Sequence, residues 1–91
     1  MTNISAATKW DLDTPSLVVD LDLLDQNIAR MAQFFRAKGV NWRPHTKGQK
    51  IPEIAPLQLA AGALGITCAK PSEAEVMAQE GIKDILIANQ V

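Results

Sequence analysis

The chain has 91 residues, of which 47% are hydrophobic and 21% are charged, and its formal net charge is −1. This mixture is typical of a globular protein rather than a disordered one, and the near-neutral charge gives no electrostatic footprint for nucleic acid or an anionic membrane. The single cysteine excludes an internal disulfide, and no secretory leader and no apolar run of about 20 residues is present, so we expect a cytoplasmic protein.

The first half of the chain predicts a lead-in, a strand and a long helix. Residues 1–13 have no regular pattern and are interpreted as the lead-in. The apolar, β-branched run at 16–20 predicts a strand. Apolar residues spaced three and four apart predict a helix over 22–38, with Asp22 as its N-terminal cap and Gly39 as its stop.

A second strand and a second helix are predicted next, with less regular patterns. The strand covers 40–44 and ends at a proline. Pro52 suits the first position of a helix. Pro56 follows four residues later and would remove a backbone hydrogen bond from that helix. Two alternatives therefore stay open: the helix begins at about Pro56, or the whole 52–61 segment is bent.

The last third of the chain repeats the alternation of strand and helix. The run at 65–69 is almost continuously apolar, which is typical of a buried parallel strand. Ser72, with a glutamate three residues later, predicts a capping box at the start of a helix that runs to about Glu80 and stops at Gly81. A fourth strand is predicted over 84–89.

This order of elements, β-α-β-α-β-α-β with short connections, predicts a parallel α/β sheet with right-handed crossovers. A (β/α)₈ barrel needs roughly 250 residues, and the chain supplies about half of the required units. We therefore interpret it as an incomplete α/β unit of a longer protein, and we expect the 91-residue piece alone to be inactive and prone to aggregation.

Lys47 is the first candidate for chemistry, because a lysine just past the carboxyl end of a parallel strand lies where α/β folds place active sites. Its amine can form a Schiff base with a carbonyl once it is deprotonated, which burial or neighbouring positive charge favours. Arg43, His45 and Lys50 are close in sequence and are candidate sources of that charge. The alternative is an ordinary solvated loop lysine.

His45 and two strand-end residues are weaker candidates. His45, the only histidine, suits a general acid or base, or alternatively a hydrogen-bonded structural role at the strand end. It cannot form a zinc site alone, since zinc needs three or four ligands. Cys68 and Asn89 fall near the ends of the third and fourth strands. A small buried residue and a helix cap are the simpler interpretations of these two.

Several stretches together resemble a known enzyme family. They are TPSLVVDLD at 14–22, NIARM at 27–31, RPHTK at 43–47, LAAGA at 59–63, EAEVM at 73–77 and DILIAN at 84–89. In this order and spacing they are similar to the N-terminal part of D-threonine aldolase and D-serine dehydratase-like enzymes. These belong to the alanine racemase-type, fold-type III group of pyridoxal-phosphate enzymes.

The resemblance implies that 14–91 is the N-terminal portion of a pyridoxal-phosphate-binding TIM-type barrel, incomplete in this chain. It implies that Lys47 forms the Schiff base with pyridoxal 5'-phosphate, and we assign His45 to the same cofactor-binding site. The implied reaction is retro-aldol cleavage of a D-β-hydroxy amino acid to glycine and an aldehyde. The alternatives are D-serine dehydratase-like β-elimination and a non-catalytic relative or inactive fragment. The full-length protein is expected to be a homodimer.

The resemblance also has one departure and one gap. Many members have Lys-x-His-Lys where this chain has Gln49 in place of the histidine, so a catalytic role of that histidine in relatives would put the activity here in doubt. A divalent metal is expected only through residues absent from this chain. A third interpretation is an unrelated half-barrel or flavodoxin-like binding domain in which Lys47 has no special role.

Overall fold

The computed structural model describes residues 8–90. The first seven residues of the predicted lead-in, and Val91, lie outside the described residues. A 3₁₀ turn at Lys9–Asp11 is followed by three helices and two strands: α1 (Leu21–Lys38), α2 (Ile54–Ala60), β1 (Ile66–Cys68), α3 (Pro71–Gln79) and β2 (Ile85–Ile87). No helix among residues 8–90 is long and apolar enough to cross a membrane.

The 3₁₀ turn is closed by one carboxylate. Asp11 Oδ2 accepts hydrogen bonds from the backbone N–H of Thr8 at 2.9 Å and from its hydroxyl at 3.1 Å. These bonds favour the ionised carboxylate, and the backbone bond is the larger cause of a lowered pKa of Asp11. The lead-in therefore contains local structure that its composition did not indicate.

Helix α1 confirms the predicted 22–38 helix, with a different cap. Asp20, not Asp22, is the N-cap, and its carboxylate accepts from the Leu23 N–H at 3.1 Å. Gly39 ends the helix with φ of 67°, a left-handed conformation that glycine adopts without steric cost. By residue type, both aspartates suit an N-cap. The helix begins at Leu21, so the Leu23 N–H, which has no partner within the helix, lies three residues after Asp20 and bonds to its carboxylate.

The predicted strand at 16–20 is wrong. No strand is formed there, and Leu17, Val18 and Val19 are exposed by 70%, 57% and 37%. A strand requires a neighbouring strand as a hydrogen-bonding partner, and within residues 8–90 none pairs with this run. Residues 16–20 therefore form an exposed apolar segment rather than part of the sheet.

Helix α2 resolves the two alternatives left open by the prolines. It begins at Ile54, after a turn over 52–53, so Pro52 is not a helical residue and the start lies two residues before Pro56, close to the first alternative. Pro56 is the third residue of the helix. The first four N–H groups of an α-helix have no intrahelical partner, so a proline at this position removes no hydrogen bond from α2.

The strand predicted at 40–44 is displaced towards its carboxyl end. The parallel bridge pairs His45 with Thr67, and it is supported by the Thr67 N–H donating to Pro44 O at 2.8 Å and the Thr46 N–H donating to Thr67 O at 2.9 Å. We refer to residues 44–46 as the edge segment. The prediction failed at Val40 and Asn41 because strand length depends on how far the partner extends, which the local sequence does not encode.

The predicted strands at 65–69 and 84–89 are confirmed as shorter parallel strands. In the β1–β2 pair, Ile66 lies opposite Ile85 and Cys68 lies opposite Ile87. With the edge segment on the other side of β1, three consecutive extended segments lie side by side in chain order. The predicted parallel α/β arrangement is therefore observed over this part of the chain.

Helix α3 begins one residue before the predicted cap. Lys70 is the N-cap and Pro71 is the first helical residue, so Ser72 lies inside the helix and forms no capping box. The fixed φ of proline suits the first helical position, and this local preference decides the start of the helix in place of the serine. Gly81 follows the helix at φ of 97°.

The three helices cover one face of the sheet. Ala55 of α2 and Met77 of α3 are buried in one cluster with Ile66 and Cys68 of β1. Trp42, before the edge segment, is buried with Ile28 and Ala32 of α1, and its ring stacks with that of Phe35 at a centroid distance of 6.2 Å. Because side chains alternate along a strand, His45, Thr67 and Leu86 belong to the opposite face. Leu86 is 50% exposed there.

Candidate functional site

The carboxyl edge of the sheet is formed by the residues that follow the three parallel segments. The edge segment ends at Thr46, β1 ends at Cys68 and β2 ends at Ile87. Because the segments run parallel, the turn that follows the edge segment, the start of α3 and the loop after β2 meet at this edge. This turn covers 47–50, with Lys50 as its closing residue, and is called the Lys47 turn. Lys47 is therefore located at the edge where the sequence predicted it.

Thr46 connects the start of the Lys47 turn to β1 by hydrogen bonds. It is 1% exposed, and its hydroxyl donates to Thr67 O at 3.1 Å and lies 3.4 Å from the thiol of Cys68. On the far side of the turn, the Lys50 N–H donates back to Thr46 O at 2.8 Å. The turn that carries Lys47 is thus closed on itself and fixed to the sheet through one buried residue.

The backbone of Lys47 is hydrogen-bonded to the side chain of His45. The Lys47 N–H donates to His45 Nδ1 at 3.1 Å. An imidazole nitrogen that accepts a hydrogen bond carries no proton, so this geometry assigns the proton of neutral His45 to Nε2. Both side chains are exposed. Within residues 8–90 the Lys47 amine has no hydrogen-bond or ion-pair partner, while Lys50 in the same turn is paired.

Lys50 adopts an unusual backbone conformation at the end of the turn. Its φ is 55°, the left-handed region that non-glycine residues seldom occupy. Its amine lies 3.9 Å from Glu73 Oε1 in the first turn of α3. The Glu73 side chain is only 13% exposed, and its other oxygen, Oε2, is buried with no hydrogen-bond partner among the described residues.

Gln49 faces a different part of the molecule from Lys47 and His45. It is half-buried and lines a cavity of about 400 Å³ with Val19, Leu24 and Asn27 at the start of α1 and with Gln58 of α2. Neither Lys47 nor His45 lines this cavity. The position at which the chain departs from the family pattern therefore faces the helices.

The strand-end candidates have structural environments. Cys68 is fully buried on the helix-covered face, and the thiol is free of disulfide bonding. Asn89 is exposed, and its side-chain oxygen accepts from the Gln90 N–H at 2.8 Å. Within residues 8–90, no group of three His, Cys, Asp or Glu side chains is arranged to hold a metal ion.

Arg43 does not contribute charge to the Lys47 turn. It precedes the edge segment, so it lies at the amino edge of the sheet, where its guanidinium is 2.7 Å from Asp84 Oδ1 and donates to Ile66 O at 3.2 Å. Gly65 is buried beside this pair, and a Cβ built on it would be 2.4 Å from Asp84 O and 2.6 Å from Arg43 Nη1. Only a residue without a side chain fits there.

The sequence analysis singled out neither Thr46 nor Glu73 as a site residue. A period of two from Trp42 to Thr46 would have predicted that Thr46 faces the helices. The contact of Glu73 with Lys50 joins residues far apart in the chain, and no local pattern reveals it.

Comparisons with known proteins point to one group. No family model matches the chain. It is 42% identical over 82 residues to the 3-hydroxy-D-aspartate aldolase of Paracoccus denitrificans, 51% over 81 residues to the D-threo-3-hydroxyaspartate dehydratase of Delftia sp. (strain HT23), and 49% over 80 residues to the D-threonine aldolase of Arthrobacter sp. These alignments cover 88–89% of the chain and 21% of each relative.

Solved structures agree with the sequence relatives. The D-threonine aldolase of Filomicrobium marinum matches with a TM-score of 0.84 and 49% identity, over 89% of this chain and 22% of that protein. The Delftia dehydratase matches with a TM-score of 0.83 and 48% identity, over 89% of this chain and 21% of that protein. A further solved structure that matches is a variant of D-threo-3-hydroxyaspartate dehydratase in the metal-free form.

The chain is thus an α/β protein similar to lyases, namely aldolases and dehydratases whose names refer to D-amino acids. Its sequence and its structure are similar to those of D-threonine aldolase and D-threo-3-hydroxyaspartate dehydratase, which confirms the resemblance. The chain spans about one fifth of the length of these relatives.

Proposed function

We propose that this chain is the cofactor-anchoring portion of a pyridoxal-phosphate-dependent lyase that acts on D-β-hydroxy amino acids. The observation that carries the proposal is the location of Lys47 immediately after the edge segment, at the carboxyl edge of a parallel sheet. Retro-aldol cleavage to glycine and an aldehyde is the preferred reaction, since two of the relatives are named as aldolases.

The residues at this edge fit pyridoxal phosphate. The Lys47 amine is exposed and, within residues 8–90, unpaired, so it is accessible for covalent attachment to an aldehyde. Its backbone is held by Thr46 on one side and by the Lys50 hydrogen bond on the other. When bound, the cofactor supplies an electron sink for the bond that breaks at the substrate.

His45 is proposed to contribute to the same site. Its Nδ1 accepts from the Lys47 N–H, which orients the ring and holds the proton of the neutral form on Nε2. An N–H in that position is a hydrogen-bond donor on the face of the sheet that the described helices leave uncovered. We propose that His45 supports the cofactor through this donor.

Dehydration is the second candidate reaction. The Delftia relative, at 51% identity, is named as a dehydratase of D-threo-3-hydroxyaspartate. In this reaction the α-proton and the β-hydroxyl are lost, and a keto acid and ammonia are released. Both reactions start from a D-β-hydroxy amino acid, and both are compatible with Lys47 as the anchor.

The remaining features of the full-length protein are proposed from the family. We propose that the edge segment, β1 and β2 are consecutive strands of a (β/α)₈ barrel, since all three helices lie on one face of the sheet. Divalent-metal ligands, a homodimeric assembly and a cytoplasmic location are proposed for the full-length protein as well. The metal ligands would come from residues outside this chain.

The anchor is tested by borohydride reduction of the full-length protein after addition of pyridoxal phosphate, followed by peptide mapping. We expect the label on Lys47, and Lys47→Ala should lose it together with all turnover. Lys83→Ala is the matched control, because Lys83 is an exposed lysine next to β2 at the amino edge. A label on any other lysine would overturn the assignment.

The reaction is tested with D-threonine and 3-hydroxy-D-aspartate as substrates. Glycine and an aldehyde are the products expected for the aldolase, and ammonia with a keto acid for the dehydratase. A labelled Lys47 without turnover of any D-β-hydroxy amino acid would identify a non-catalytic relative instead.

A further inference from the structure

The turn that carries Lys47 makes a second contact, with α3. The contact joins Lys50, the last residue of the turn, to Glu73 in the first turn of the helix at 3.9 Å. A cavity of about 260 Å³ lies beside it, lined by both residues together with Ser72, Val76 and Met77. The ion pair is a direct contact between the turn and α3 beside this space.

Two features of Glu73 are unexpected for an ordinary helix-end acid. The side chain is 13% exposed rather than solvated, and Oε2 is buried without a hydrogen-bond partner among residues 8–90. Leaving a carboxylate oxygen buried and unpaired is unfavourable. A neighbouring acid on the same helix, Glu75, is exposed. The burial of Glu73 therefore needs a reason beyond the favourable position of an acid at a helix N-terminus.

Lys50 has an equally unusual conformation. Its backbone is in the left-handed region, which is strained for a residue with a side chain and is kept only where the surroundings hold it. Its N–H closes the turn by donating to Thr46 O at 2.8 Å, and its side chain reaches Glu73. The backbone N–H and the side chain of Lys50 therefore each have a partner, and this strained residue lies three positions from Lys47.

We propose that Glu73 is a positioning residue that holds the Lys47 turn in its closed form by pairing with Lys50. This role rests on the proposed function of Lys47 as the cofactor anchor. Glu73 acts through Lys50 and is not assigned to the reacting atoms. Loss of the pair leaves Lys50 free to relax from its left-handed conformation, which weakens the Lys50 N–H bond to Thr46 and lets the Lys47 amine sample more orientations.

The test begins without cofactor, by measuring amide hydrogen exchange of Lys50 in the full-length protein. Glu73→Gln and Lys50→Gln should each accelerate exchange of this amide by about two- to fivefold, the range expected for a partly exposed ion pair. Glu75→Gln, on the same helix, should leave it unchanged. Lys50 is 59% exposed, so Lys50→Gln tests the contact even if the Glu73 variant folds poorly.

A double-mutant cycle then separates positioning from helix stability. If the two residues act through each other, Glu73→Gln combined with Lys50→Gln accelerates exchange no more than either change alone. Equal effects that multiply in the double variant, or an unchanged exchange rate in Lys50→Gln, would overturn the proposal. Glu73→Gln also removes an acid from the first turn of α3, and the cycle excludes that contribution.

Cofactor binding provides the second readout. The pyridoxal phosphate concentration that gives half-maximal borohydride labelling of Lys47 should rise about two- to fivefold in Glu73→Gln and in Lys50→Gln, and not in Glu75→Gln. If Lys47 of the unaltered protein takes no label, the proposed function fails, while the exchange experiment still decides whether Glu73 holds the turn. Unchanged half-maximal concentrations in both variants would contradict the positioning role.

Discussion

The two edges of the sheet are built in opposite ways. At the amino edge, Arg43 ties Asp84 and the carbonyl of Ile66 together around a glycine that has no room for a side chain. At the carboxyl edge, the Lys47 turn is exposed, contains a left-handed residue and borders an unfilled cavity. One edge is held by close contacts and the other by a few hydrogen bonds and one ion pair.

Under the proposed function, this difference separates the residues that stabilise the sheet from those that take part in chemistry. Close contacts at the amino edge fix the separation and register of the strands. The carboxyl edge can then carry polar side chains and a residue with an unfavourable backbone conformation, such as Lys50, because the strands are already held at the other edge. Substitutions at the amino edge should therefore change the free energy of unfolding. Substitutions in the Lys47 turn should change mainly cofactor labelling and turnover.

The largest effect is expected at Gly65. Gly65→Ala places a Cβ 2.4 Å from Asp84 O, a backbone atom that can move only with β2. We expect the free energy of unfolding to fall by about 2–4 kcal/mol, measured by denaturant titration of the full-length protein. Gly48→Ala, in the Lys47 turn, is the control, because nothing lies within 4 Å of its Cβ. Equal stability of the two variants would contradict the contrast between the edges.

A smaller effect is expected at Thr46, where the turn joins the sheet. Thr46→Val keeps the shape and removes the hydroxyl that donates to Thr67 O, so the free energy of unfolding should fall by about 1 kcal/mol. Thr67→Val is the comparison, since its hydroxyl bond to Arg43 O is longer, at 3.4 Å. A larger loss of stability for Thr67→Val would show that the Thr46 hydroxyl bond is not the more important of the two.

The smallest effect is expected at Gln49. Because Gln49 lines the cavity between α1 and α2, Gln49→His should change the free energy of unfolding by less than about 0.5 kcal/mol and turnover by less than about twofold. Turnover and thermal unfolding of the two forms are compared side by side. A change in turnover of more than about tenfold would instead assign position 49 to the reacting site.

Local signals in the sequence predicted much of the fold. The apolar spacing of α1 and its glycine stop determine that helix within one residue. The location of Lys47 after a strand also followed from sequence, because only the direction and order of neighbouring segments were needed. Errors occurred where two local signals competed, as for Asp20 against Asp22 and for Pro71 against Ser72.

Features that depend on distant residues were not predictable. The run at 16–20 has strand composition, yet its state is decided by whether a partner strand lies beside it. Lys50 pairs with Glu73, and Arg43 and Asp84 pack closely around Gly65. Both arrangements require several elements to be packed together. Sequence alone therefore predicted the location of Lys47 after a strand but not the contacts of its turn.

The side-by-side order of the edge segment, β1 and β2 also bears on how this region folds. Each segment pairs with the next one along the chain, as in the contact of Thr46 with Thr67, 21 residues apart. Closing loops of this length has a small entropic cost, which grows only slowly with length. Each strand can therefore dock onto its predecessor as synthesis proceeds, and the turn bearing Lys47 can close before later segments emerge from the ribosome.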